Sequence, residues 1–240
     1  MAFCLILPVL PPKEFPLGVF IMKKSIDIKK LTVGAMLCAL AYIVMVIGRV
    51  PVVLFLSYDP KDAIIALGGL IWGPMMSFVV SLIVSFIEMI TVSDTSWIGF
   101  IMNVISTCSF ACTAAFIYNK KRTLSGAVIG LVIGMAFAVS IMMLWNYLIT
   151  PLYMGYPREA VAALLIPAFL PFNLLKAGLN SALTFLLYRP IVSALKNTGF
   201  IDKSKSKSAE NRKTNVGLIL VAVAVLITCV LFILSLNGII

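Results

Sequence analysis

Histidine is absent from all 240 residues, and Asp and Glu together number only nine. The first absence removes His-based catalytic triads and the common zinc sites, whose ligand sets depend on imidazole. The second leaves too few acids to line a self-powered proton pathway through several helices. No close pair of carboxylates stands inside an apolar run, and no glycine-rich phosphate loop is present to hydrolyse a nucleotide. The chain is therefore expected to be no enzyme and to need no cofactor or metal. Cysteine is sparse as well. Of the five, Cys38, Cys108, Cys112 and Cys229 lie in apolar runs, and only Cys108 and Cys112 share a helical face. They read as small buried hydrophobes.

Charge of any sign is scarce: 12% of residues are charged, 62% are hydrophobic and the mean hydropathy is +1.11. A soluble domain holds roughly 45–50% apolar and about 25% charged residues, so this surplus of apolar surface calls for lipid. One span takes about 20 apolar residues. The chain then reads as a polytopic membrane helix bundle of six or seven spans, all-α, with no separate soluble domain. Expected helices cover about 31–47, 63–72, 75–91, 98–118, 126–149 and 162–188. A last apolar run, Val216 to Leu236, carries no charge over 21 residues. Residues 1–21 lack the features of a signal peptide and read as an extension before a start at Met22. The expected division is 1–21 extension, 22–195 helical domain, 196–213 basic linker and 214–240 additional helix.

The net charge of +10 does not imply nucleic acid, because the basic residues cluster between apolar runs. With the N-terminus inside, 15 of the 19 Lys and Arg fall on the cytoplasmic side. Arg49, Lys61 and Arg158 fall outside, and Lys176 falls within the membrane. The bias places the N-terminus in the cytoplasm and, with seven spans, the C-terminus outside the cell.

Helix 1 repeats small residues at Gly34, Ala35 and Ala39. In lipid such spacing permits close helix approach, either to a partner subunit or within the same bundle. The outer segment Leu54 to Asp62 has an apolar front half and is expected to pack back over the bundle, as the lid of a site or as a sealing turn. Asn173 and Lys176 share a face in the outer third of helix 6. An intramembrane charge costs several kcal/mol, roughly 2.5–3.5 on insertion-type scales, unless it finds a partner or cavity. Asn146, Tyr147, Trp145, Tyr153 and Phe172 lie close by in sequence, so a site for a small polar ligand is expected here. Snorkelling of Lys176 to the interface is the competing reading. Glu88 reads as solvated near the outer end of helix 3. Asn103 reads as a cross-helix hydrogen-bonding group, and either residue also fits a pocket wall.

Leu56-Ser57-Tyr58-Asp59-Pro60-Lys61-Asp62 with Gly73-Pro74, Asn146-Tyr147 with Pro151-Leu152-Tyr153, and Pro171-Phe172-Asn173-Leu174-Leu175-Lys176-Ala177-Gly178 carry a resemblance. Over 22–195 the chain resembles the substrate-capture (S) component of energy-coupling factor (ECF) transporters, in its riboflavin-binding family. The resemblance implies a six-helix core in the cell membrane that binds riboflavin with high affinity from outside, beneath the first outer loop. It implies that Asn146, Asn173 and Lys176 hydrogen-bond the flavin, that Leu56, Ser57, Tyr58 and Asp59 touch ring or ribityl chain, and that Tyr147 belongs to the same site. It further implies docking through Ala35 and Ala39 onto a transmembrane T protein carrying two ATPases, with riboflavin as transported substrate. The segment 216–236 departs from that six-helix plan. Alternatives are an S component for thiamine, folate or a similar vitamin, or a membrane scaffold without ligand.

Overall fold

The computed structural model describes residues 28–53, 56–93, 96–197 and 216–236. The expected extension 1–21, the start at Met22 and residues 198–213 of the expected linker lie outside them.

Helix α1 (Ile28–Gly48) leads into a two-stranded antiparallel hairpin, β1 (Val50–Val53) and β2 (Leu56–Tyr58), in which Val50 faces Tyr58 and Pro51 faces Ser57. Then follow α2 (Lys61–Trp72), α3 (Pro74–Thr91), α4 (Ser96–Lys120) and α5 (Leu124–Leu148). Two short helices, α6 (Thr150–Met154) and α7 (Arg158–Leu164), precede a π-helical turn at Leu165–Phe169. Helix α8 (Leu170–Asn197) and the separate α9 (Val216–Leu236) complete the described chain.

Five helical stretches are long and apolar enough to cross a membrane among the described residues: α1, α3, α4, α5 and the continuous stretch Arg158–Ala194. Their outward faces carry Ile43, Phe78, Ile83, Phe116, Ile133 and similar side chains in exposed positions, as lipid-facing surfaces do. α2 differs. At 12 residues it reaches only about 18 Å, short of a bilayer core, and every residue from Lys61 to Leu70 is buried. It is the central post of the bundle, packed by α1, α3, α4 and α8.

Glycine makes that crowding workable. The turn from α2 to α3 needs Gly73 at φ +102°, left-handed backbone that L side chains rarely adopt, and Pro74 then opens α3. Along α5, a Cβ at Gly130 or Gly134 would stand 2.7 Å from the carbonyl oxygens of Ala114 and Phe110 on α4. These two helices touch backbone to backbone. The main core, with Ala41, Ile65, Leu67, Val84, Phe110, Ala114 and Leu131, lies around α2.

Two expectations change here. The outer segment is a hairpin and not a loop: β-branched Val50, Val52 and Val53 favour extended backbone, and the hairpin packs over the bundle as anticipated. The expected sixth helix begins earlier and is broken by the π turn around Pro167, which has no N–H to give. Beyond that turn it continues past Tyr188 to Asn197.

Candidate functional site

Six charged side chains converge at the junction of hairpin, α2, α3 and α8. Arg49 follows α1, Asp59 links β2 to α2, and Lys61 and Asp62 open α2. Glu88 lies in the last turn of α3, and Lys176 lies on α8. Lys61 is fully buried and pairs with Glu88, with Asp59 at 3.7 Å. Arg49, reaching from the edge, contacts the other oxygen of Glu88 at 3.5 Å. Lys176 pairs with Asp62 at 3.5 Å. Thr107 Oγ1 donates to the other Asp62 oxygen at 2.6 Å, and Asn180 Nδ2 reaches Asp62 Oδ2 at 3.5 Å. Tyr58 in turn donates its hydroxyl to Asn180 Oδ1 at 3.3 Å. Burial opposes the charged form of Asp59, but Lys176, Lys61 and Arg49 together hold its carboxyl below the usual range.

Three cations thus face three carboxylates. Low-polarity surroundings tolerate such a group only because each charge meets its opposite. Of the two readings open for Glu88, its 2% exposure excludes solvation and the pocket wall stands. Lys61, counted among the outer charges, is 0% exposed and is held by its carboxylate partners.

Above the cluster opens a narrow cleft with a cavity volume of about 50 Å³, below the roughly 300–1,000 Å³ of small-molecule sites, so a guest of that size needs its walls to part. Its polar wall is Arg49, Asp59, Glu88, Asn103, Asn173 and Lys176, and its apolar wall is Leu56, Met102, Met142 and Phe172. A second, water-sized space of about 10 Å³ continues beneath Lys176 toward Phe110, Val139 and Asn180. Ser106, Met142, Asn173 and Lys176 border both.

The residues singled out in the sequence divide accordingly. Leu56, Ser57, Asp59, Asn173 and Lys176 line the cleft. Tyr58 sits behind it, its ring among Leu175 and Leu179. Asn146, one turn beyond Met142 on α5, is fully buried and lines neither space; it accepts a hydrogen bond from Thr150 at 3.0 Å. Its Nδ2 has no hydrogen-bonding partner in the protein, whereas Asp59 Oδ1 has the Lys61 ammonium at 3.7 Å. Asn173 Nδ2 donates to the carbonyl of Phe169 at 2.8 Å, which fixes the amide and leaves its oxygen as an acceptor. Tyr147 is displaced from the expected site: it is 39% exposed, with the Arg158 guanidinium 5.8 Å from its ring centre. Adjacent helical positions point about 100° apart, so Asn146 inward sends Tyr147 outward. Trp145 is likewise absent from the cleft wall. The side chain of Tyr153 lies outside the described residues. Ala35 and Ala39 are both exposed, on the side of α1 that also bears Leu31 and Ile43. Packing within the bundle, the alternative reading of these alanines, is not what the structure holds.

Residues 29–188 match the family model described as ECF transporter, substrate-specific component. The chain belongs to that family. Among similar proteins, this S component is 26% identical over 174 residues to the riboflavin transporter FmnP of Bacillus subtilis (strain 168), covering 67% of this chain and 90% of that protein. It is 27% identical over 178 residues to the riboflavin transporter RibU of Staphylococcus aureus (strain TCH60), covering 70% and 93%. A solved structure described as the S component of a bacterial ECF transporter superposes with a TM-score of 0.61 at 26% identity, covering 70% of this chain and 98% of that one. The S component is thus a multi-pass membrane protein and the substrate-specific part of an ECF transporter. The family match ends at residue 188, before α9.

Proposed function

We propose that this S component captures riboflavin at the outer face of the cell membrane and delivers it with an energy-coupling module of one transmembrane T protein and two ATPases. The observation that carries the reading is the cleft, in which Asp59, Asn173 and Lys176 stand as fixed polar groups opposite Leu56, Met102, Met142 and Phe172. Riboflavin has the matching chemistry: a flat, largely apolar tricycle, an imide edge rich in donors and acceptors, and a hydroxylated chain. The unpartnered Nδ2 of Asn146 suits a carbonyl of such a guest. A buried polar atom left unmatched costs about 1–3 kcal/mol, so satisfying this atom favours the bound form. The two curated relatives are riboflavin transporters by name, which supports riboflavin over thiamine or folate. The chain itself hydrolyses nothing in this reading. The basic clusters favour a cytoplasmic N-terminus, and α9 as a further span puts the C-terminus outside.

Titration of pure protein with riboflavin, following flavin or tryptophan fluorescence, tests this directly. Saturable quenching by riboflavin but not by thiamine or folate is expected; no saturable binding of riboflavin refutes it. In the same assay Asn173→Ala should weaken riboflavin at least tenfold, about 1.4 kcal/mol, with folding retained. Normal binding by that variant removes Asn173 from the site.

The exposed alanines on α1 suit close docking of the T protein, since small side chains let helices approach in lipid. Ala35→Leu with Ala39→Leu should abolish riboflavin uptake by cells bearing the full transporter while leaving riboflavin binding to the isolated subunit intact. Undiminished uptake would locate the docking face elsewhere.

A further inference from the structure

Helix α9 lies beyond the stretch matched by the family, yet it is not remote from the cleft. Its inward stripe, Ala222, Val225, Leu226 and Cys229, recurs at helical spacing, and Ala222 is buried. Leu226 and Cys229 pack on a cluster formed by Tyr58, Leu175 and Leu179, with Val50 and Val52 of the hairpin. One cluster therefore joins α9, α8 and both strands. Contact is close: a Cβ added at Gly178 would lie 3.9 Å from both Cys229 Sγ and Val225 Cγ1. Tyr58 is held here by its ring, and its hydroxyl starts a hydrogen-bonded relay through Asn180 to Asp62, the carboxylate paired with Lys176.

We propose that α9 is a positioning helix for the cleft. By packing on the Tyr58 cluster beside α8, it clamps the hairpin to the bundle and keeps Asn180, Asp62 and Lys176 in register, so that it sets how long a bound guest is retained. A terminal helix serving only as an anchor would need lipid contact and nothing else. The packing of Leu226 and Cys229 on the cluster that holds Tyr58 is the feature an anchor would not need. The kinetic part rests on the proposed capture of riboflavin; the mechanical part does not.

The test uses the full chain in lipid nanodiscs. In Gly178→Cys, air oxidation with copper phenanthroline should join the introduced thiol to Cys229, two thiols giving up two protons and two electrons to oxygen. Trypsin cutting at Lys203, Lys205, Lys207, Arg212 or Lys213 would then leave α9 attached until a reductant is added. Failure to cross-link overturns the proposal at its root. In Leu226→Ala with Cys229→Ala, backbone hydrogen exchange across residues 50–58 should rise at least fivefold, and riboflavin should dissociate about tenfold faster with its association rate unchanged. Exchange within twofold of the parent, or raised exchange with an unchanged dissociation rate, overturns it. If the parent chain binds no riboflavin, the capture reading fails by itself, and cross-linking and exchange still decide whether α9 clamps the hairpin.

Discussion

Lys61→Met is expected to be the most destabilising single substitution in the protein. The ammonium is fully buried between Glu88 and Asp59, and methionine keeps the length of the side chain while deleting its charge. Glu88 would then rely on Arg49 alone, a partner 3.5 Å away and 28% exposed, and Asp59 would lose a neighbouring cation. Removing one member of a buried ion pair costs about 3–5 kcal/mol, chiefly because the other is left charged in a medium that solvates it poorly. That is a large share of the roughly 5–15 kcal/mol by which folded proteins exceed their unfolded states. Thermal unfolding in detergent should show a pronounced fall in midpoint. Lys61→Met with Glu88→Gln should recover most of it, since the stranded carboxylate is then gone. A single variant as stable as the parent would mean that the cluster is solvated and not self-paired.

Lys176→Met should have the largest effect on binding. Lys176 lines both the cleft and the space beneath it, so it is the one cation with access to the full depth of the site among the described residues. Hydrogen bonds to a charged group contribute about 1.5–3 kcal/mol, which corresponds to a ten- to hundredfold loss of riboflavin affinity. The loss of its pairing with Asp62 complicates the single variant. Lys176→Met with Asp62→Asn separates the two roles: folding should recover in the double variant, whereas riboflavin affinity should stay low. Recovery of both would make Lys176 a structural counter-ion with no hold on the guest.

Much of the bundle is legible from apolar runs alone. α1, α3, α4, α5 and α9 begin and end within a few residues of the expected limits, because lipid demands long uninterrupted stretches. What escaped depends on neighbours distant in sequence. Glu88 and Lys61 are 27 positions apart, and nothing local announces their pairing; each alone looks like a charge at a helix end. A signal did exist. α2 is too short to span and is apolar from Ala63 to Trp72, so its first residues, Lys61 and Asp62, had to enter the bundle with it. A lysine at 176 inside an apolar helix also demands a carboxylate, and the chain offers few. The hairpin was hidden by its size, with strands of four and three residues that give alternation no length in which to show. The choice between Asn146 and Tyr147 was available from helical geometry, since both could not face the same cavity.

The balance of charge around the site has an electrical corollary. Three positive and three negative side chains sum to no monopole, and riboflavin brings none. The voltage across a cell membrane acts with about 2.3 kcal/mol per elementary charge for each 100 mV, but it finds nothing here on which to pull. Carrying the neutral guest together with the balanced cluster across the membrane would transfer no net charge. The membrane potential therefore finds no net charge to act on in the guest and the cluster that surrounds it.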